Sequence, residues 1–317
     1  MKILKPKFWD KKEVSLFSLV LLPFSFFYQI ILYTKSFFVK KKDFSIPIIC
    51  VGNIYIGGTG KTPISIKIFE ILKELKMNPV IVKKDYKNQR DEVLLLKRQC
   101  KILISKKRPH AIYEAIKKKF NTVILDDGYQ DLEINKDINI ACFHSKQKIG
   151  NGKTIPSGPL RENLASLKNC DLIFFNGKKD VDFETNIKKY NSKLRFIYYE
   201  FVTGNLNELK NKKFIAFAGI GNPDNFFSFL KFNALNIVKE IKYPDHYVYS
   251  EKDLDYLIKL KNEYNVELIT TEKDFMRIKN EKQKNFNFLP IKINLENPVF
   301  LKNYIKEKIH ESNKVHI

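Results

Sequence analysis

An α/β fold built round a parallel sheet is what this 317-residue sequence predicts, and three observations predict it. From residue 44 onward, short β-branched runs alternate with amphipathic stretches. A glycine-rich loop joins the first of those runs to a helical pattern. The same rhythm then begins again beyond residue 204, so a second and smaller α/β domain is expected to follow the first.

The first domain is legible element by element. Strands are predicted over 46–51, 80–82, 101–104, 122–125, 138–143 and 172–175. Between the first two, Ile64, Ile68, Ile71, Leu72 and Leu75 recur at the 3-and-4 spacing of a helix face, which predicts a helix over 62–76. Pro109 opens another helix over 109–120, where a proline in the first turn lacks only a donor that would be unpaired anyway. Strand, helix, strand at this spacing implies parallel βαβ units with right-handed crossovers. The polar stretch 204–213 reads as a linker. Beyond it, strands are predicted at 214–218 and 267–270, and helices at 225–232 and 253–264. The expected domains are therefore 1–42, a hydrophobic N-terminal segment, then 43–203 and 204–317.

Hydrophobic residues make up 44% and aromatics 13%, with 12 Gly and 12 Pro, which excludes a disordered, collagen-like or low-complexity chain. Lys+Arg exceeds Asp+Glu by 22, so the surface should attract phosphate-rich partners: a nucleotide, an anionic lipid or a nucleic acid. No RNA- or DNA-binding motif with interleaved aromatics accompanies the charge, and no nucleic-acid partner is expected. Cys50, Cys100, Cys142 and Cys170 are widely spaced and form no Cys-x-x-Cys pair, so they read as reduced core thiols.

Residues 14–34 carry no charge, and lysines flank the run on both sides. About 20 apolar residues are long enough to cross a bilayer core. No small-x-small cleavage site follows, which argues against a signal peptide. Basic flanks on both sides contradict a spanning orientation, whereas a helix lying in the headgroup region, or a shallow insertion kinked at Pro23, puts both flanks on one anionic leaflet. Apolar residues are expected round the whole helix circumference. A buried core helix is the alternative.

The loop Gly57-Gly58-Thr59-Gly60-Lys61-Thr62 follows a strand and opens a helix. That is the context in which glycines let backbone N–H groups close round a phosphate at a helix N-terminus, the P-loop. Lys61 would reach the β/γ-phosphates of ATP and the Thr62 hydroxyl would bind Mg²⁺. The strict pattern wants glycine where Tyr55 stands. Partitioning ATPases that cycle on membranes carry a lysine where Ile56 stands, and the guanine clamp of GTPases has no good counterpart, since Asn176–Asp180 is one residue too long. The strand at 122–125 ends in Asp126 and Asp127, where an acid can order the metal shell. The predicted fold class is thus a P-loop NTPase core with a parallel sheet, a smaller C-terminal α/β domain and an N-terminal hydrophobic membrane helix.

These residues resemble one family closely, the tetraacyldisaccharide 4'-kinases, the lipid A 4'-kinases of Gram-negative bacteria. The resemblance rests on VGNIYIGGTGKTP (51–63), DE (91–92), DDGYQ (126–130), GNGKTIPSGPLRE (150–162), AGIGNPDNFF (218–227), PDH (244–246) and TEKD (271–274), all in order. It implies transfer of the γ-phosphoryl group of ATP to the 4'-hydroxyl of a tetraacylated glucosamine disaccharide 1-phosphate. It also implies a membrane-associated N-terminal helix, action at the cytoplasmic face of the inner membrane, and an anionic membrane surface as a partner. By the same resemblance, Asp91 matches the catalytic acid, His246 its histidine partner, and Glu92 and Arg161 the substrate pocket, while either Asp126 or Asp127 orders the metal. Read alone, Asp91 would be a helix N-cap ahead of Val93–Leu96. Asp91 and His246 are expected in different domains, with the active site in the cleft between them. Two stretches depart from the family: 83–87, Lys-Lys-Asp-Tyr-Lys where an SRGYG-like stretch is usual, and Asp131 in place of histidine. A membrane-cycling P-loop ATPase acting as a switch is the rival reading.

Overall fold

The computed structural model describes residues 6–11, 14–86, 90–204, 206–245 and 247–315. Twelve strands are present among them: β1 Ile48–Gly52, β2 Pro79–Lys84, β3 Ile102–Ser105, β4 Thr122–Asp126, β5 Ile138–His144, β6 Leu172–Asn176, β7 Arg195–Thr203, β8 Lys213–Ala218, β9 Asn236–Lys242, β10 Glu267–Thr271, β11 Phe286–Leu289 and β12 Ile291–Leu295. Eight form one sheet in the order β12-β7-β6-β5-β1-β4-β2-β3, and four form another in the order β11-β10-β8-β9. Pairings from β3 through to β7, and all those in the smaller sheet, are parallel. The α/β class with its parallel sheet is as the alternating pattern predicts.

In the larger sheet, β1 lies between β5 and β4, and every residue of β1, β4 and β6 is buried. Burial on both faces is why these strands read as continuous apolar runs instead of alternating ones. Ile48, Cys50, Val80, Val82, Val123 and Leu125 pack with Ala111, Ile112 and Ala115 of the helix Arg108–Lys117. Strand order reverses at β1, so the crevice beyond its carboxyl end is a topological switch point, where open α/β sheets bind ligands.

The smaller sheet is a separate core. Phe214, Ala216 and Ala218 of β8 pack with Phe226, Phe227 and Leu230, while Ile215 and Phe217 pack with Tyr249, Leu254 and Leu257. Alternation along one strand therefore serves helices on both faces.

The chain divides into two compact units, and the division corrects the predicted boundaries. The first comprises 1–84, 100–200 and 294–317, and the second 85–99 and 201–293. Residues 85–99, expected inside the 43–203 domain, belong to the second unit because the helix Arg90–Gln99 packs on the short helix Glu272–Phe275. The C-terminal helix Pro298–Val315 returns to the first unit, where Ser312 meets Asp137 and Lys302 meets Glu74.

The N-terminal segment also differs from expectation. It forms two helices, Leu16–Val20 and Leu22–Phe38, and Pro23 sits in the first turn of the second as a start signal, not as an internal kink. Among the described residues no helix is long and apolar enough to cross a membrane. The expected all-round apolar circumference is not found. Ser18, Ser25, Tyr28 and Gln29 share a polar face that binds the loop 151–161: Ser18 Oγ donates to Ser157 O (2.7 Å), Ser25 Oγ to Thr154 O (2.9 Å) and Tyr28 Oη to Arg161 O (2.9 Å). Leu16, Phe17, Phe24, Phe27, Ile31 and Phe38 are exposed. The usual amphipathic arrangement is inverted, with hydroxyls inward and aromatics outward.

Candidate active site

Between β1 and the helix Lys61–Glu74, two positions adopt backbone that only glycine takes up freely. Gly57 has φ +114° and Gly60, the helix N-cap, φ +83°. A side chain on Gly57 or Gly58 would meet nothing within 4 Å, so the loop borders open space. Inside it, Asn53 Nδ2 donates to Thr59 Oγ1 (2.7 Å) and to Gly57 O (3.3 Å), fastening the loop to the end of β1. Tyr55, where the strict pattern has glycine, is fully buried and its hydroxyl meets Asp10. A tyrosine there is a core residue, which is why the loop tolerates the departure.

β4 pairs directly with β1, with Val51 opposite Asp126. That register brings the strand-end acids beside the glycine loop. Asp126 is fully buried and accepts from Ser65 Oγ (2.9 Å), Thr62 Oγ1 (3.3 Å) and Lys83 Nζ (2.6 Å). Asp127 adopts φ +54°, an uncommon conformation for a residue with a side chain and one concentrated at functional sites. It faces Lys61 Nζ at 3.6 Å and Arg161 at 3.1 Å. Burial alone would raise the Asp127 carboxyl, but Lys61, Arg161, Lys83 and Arg108 together hold it below the ordinary aspartate value. Arg108 also donates to the backbone carbonyls of Asp126 (2.9 Å) and Asp127 (2.8 Å) and pairs with Asp131 at 3.3 Å. The departure at Asp131 thus forms an ion pair with Arg108.

Four cationic side chains therefore surround three carboxylates, Asp126, Asp127 and Asp131. The cluster has unspent positive charge beside open space at a helix N-terminus, which suits an anionic phosphate. No group of three or more His, Cys, Asp or Glu side chains able to hold a metal ion occurs among the described residues. The donors present, the Thr62 hydroxyl and the carboxylates of Asp126 and Asp127, are hard oxygens and fit Mg²⁺. That ion dehydrates reluctantly and usually takes one or two carboxylates plus substrate phosphates. Lys83, Ser65 and Arg108 were not singled out from sequence as site residues. Lys83 reaches Asp126 from the neighbouring strand, whereas Ser65 and Arg108 reach the acids from helices; the signals available were Ser65's place one helical turn after Thr62 and Lys83's departure from the family pattern.

The other predicted residues fall on other elements of the chain. Asp91 and Glu92 begin the helix Arg90–Gln99 in the second unit. Asp91 is buried and bound by Arg277, whose Nε donates at 3.1 Å and whose terminal nitrogen also contacts it. Lys273 pairs with Glu92 at 3.0 Å and lies 3.5 Å from Asp91. The TEKD motif supplies the frame: the Thr271 hydroxyl caps the helix Glu272–Phe275, and buried Asp274 accepts from Thr271 (2.7 Å), Tyr249 (3.0 Å), Arg277 (2.7 Å) and the Gly219 amide (3.1 Å). Glu92 and Arg161, predicted as one pocket, belong to different units. His246 lies outside the described residues.

A glycine loop lies at the switch point of a parallel α/β sheet, with a strand-end acid pair opposite its lysine. The model of the family described as LpxK, tetraacyldisaccharide-1-P 4'-kinase, matches residues 17–310. The tetraacyldisaccharide 4'-kinase of Pelagibacter ubique is 41% identical over 99% of this chain and 100% of its own length, and that of Rickettsia bellii 35% identical over 98% of each. The crystal structure of the "apo" form of LpxK from Aquifex aeolicus in complex with ATP shares the fold, at TM-score 0.71 and 24% identity, over 93% of this chain and 100% of that one. The chain belongs to the tetraacyldisaccharide-1-P 4'-kinase family. These matches do not favour the rival reading as a membrane-cycling switch.

Proposed function

We propose that this protein transfers the γ-phosphoryl group of ATP to the 4'-hydroxyl of a tetraacylated glucosamine disaccharide 1-phosphate, a lipid A precursor. The observation that carries the reading is the pairing of Lys61 with Asp127, beside Thr62 and Asp126, at the open end of the glycine loop, in a chain that matches the family over nearly its whole length.

Phosphoryl transfer is chiefly positioning and neutralisation of charge. In this reading the amides of Gly57, Gly58, Thr59 and Gly60 cradle the ATP phosphates, and Lys61 exchanges Asp127 for the β/γ-phosphates. Thr62 and the Asp126–Asp127 pair would hold Mg²⁺, which would supply positive charge to offset that of the phosphates. Arg161 anchors Asp127 and lies next to Glu162, whose carboxyl is raised chiefly by burial. Asp91 is the proposed acceptor of the hydroxyl proton, with His246 as its partner. For that role Asp91 must give up Arg277, because a carboxylate held by a guanidinium is a poor base.

The exposed apolar face of the two N-terminal helices, close in sequence to Lys35, Lys40, Lys41 and Lys42, supports association with an anionic membrane surface, at the cytoplasmic face of the inner membrane. Incubation with γ-labelled ATP and a disaccharide lipid 1-phosphate tests the activity. Label on the lipid is the expected result, and hydrolysis without transfer would overturn it.

A further inference from the structure

The group nearest to Asp126 is a lysine buried in a strand. Lys83 and Asp126 stand opposite one another in the β2–β4 register, so their side chains leave the sheet on one face. The lysine is 1% exposed and the aspartate 0%, with 2.6 Å between Nζ and Oδ2. A buried lysine is uncommon because removing an ammonium from water costs several kcal/mol unless it is paired. Its place is also unusual. The same Oδ2 accepts from the Thr62 hydroxyl, the group that would bind the metal, so ammonium and metal ligand converge on one oxygen atom.

We propose that Lys83 is a positioning residue that acts as a resident counter-cation for Asp126 and thereby weakens binding of a free divalent ion. The inference rests on the phosphate-loop reading above. Two cations competing for one carboxylate oxygen repel each other, and the low dielectric of a buried site magnifies the effect. With Lys83 in place, Asp126 is neutralised before any metal arrives, and a divalent ion gains full binding strength only when nucleotide phosphates supply the missing negative charge. Metal therefore enters with the nucleotide. Asp126 is meanwhile kept in one rotamer by Lys83, Ser65 and Thr62. The departure of residues 83–87 from the family pattern is, at its first position, a change in how the metal shell is charged.

The test is Mn²⁺ binding followed by electron paramagnetic resonance, with and without ADP, which needs neither lipid nor turnover. Lys83→Met removes the charge while filling the space, and Lys83→Gln keeps an N–H donor for Asp126. Both should bind Mn²⁺ without nucleotide at least about tenfold more tightly than the wild type, since one nearby buried charge is removed. Lys83→Arg should not. A gain in affinity is a readout that a merely structural lysine would not produce. Unchanged or weaker Mn²⁺ binding in folded Lys83→Gln would overturn the proposal. So would variants that stay unfolded with Mn²⁺ present, since removal of Lys83 should leave a site that metal rescues. Failure of the wild type to bind ADP would instead count against the phosphate-loop reading itself.

Discussion

Lys61 and Asp127 hold each other at 3.6 Å, and their surroundings determine what single substitutions should do. Lys61→Ala should lower phosphoryl transfer by more than a hundredfold, since lost charge stabilisation of ~3 kcal/mol is that large a factor. Circular dichroism should show the fold intact, because no core packing is removed. A variant retaining a tenth of the wild-type rate would remove Lys61 from the mechanism. Asp127 has the opposite character. Its carboxyl is held below the ordinary value, so the ionised form stabilises the fold. That stabilisation is complete above the ordinary aspartate pKa of about 4 and disappears as pH falls through the lowered one. Asp127→Asn should therefore cost about 1–3 kcal/mol at pH 7, measured by denaturant unfolding, and the difference should shrink towards pH 3. Lys61, Thr62, Asp126 and Asp127 were legible in the sequence because a loop and a strand end each present them as a contiguous motif. Lys83 and Arg108 were not, because register and helix placement alone bring them to the acids.

At the scale of elements, the N-terminal helices are the sharpest departure from the sequence reading. An uncharged run of residues reveals its length but not which side faces the protein. Here four polar side chains decided it, because buried hydroxyls need partners and the loop 151–161 offers carbonyls. Replacing Phe17, Phe24, Phe27 and Ile31 by serine should leave thermal stability nearly unchanged, since all four are exposed, and should abolish sedimentation with anionic vesicles. Retained binding that vanishes at high salt would mean that the lysines dominate. Ser25→Ala should behave in the reverse way. It leaves the apolar face whole and removes the acceptor of the Ser157 amide, at a cost of about 1–3 kcal/mol seen in hydrogen exchange of the loop.

For the whole molecule, the placement of Asp91 matters most. The helix that carries it packs into the second unit, where Arg277 and Lys273 neutralise its carboxylate. Arg277→Met should leave Asp91 buried without its guanidinium and cost the fold about 3–5 kcal/mol, read as a lowered thermal midpoint. If Asp91 accepts the hydroxyl proton, Asp91→Asn should lose far more transfer rate than Arg277→Met at equal folded fraction; equal losses would make Asp91 a structural partner of Arg277. The sequence by itself determined the α/β class, the two parallel cores, the phosphate loop and the strand-end acids, because hydrophobic periodicity and glycine spacing are local and survive without long-range contacts. Tertiary structure alone decided that residues 85–99 and 294–317 change units, that Asp91 is held by Arg277, and that Lys83 sits on Asp126. Those outcomes depend on pairings across tens to hundreds of residues, whose energies are set by burial and by which opposite charge lies within reach.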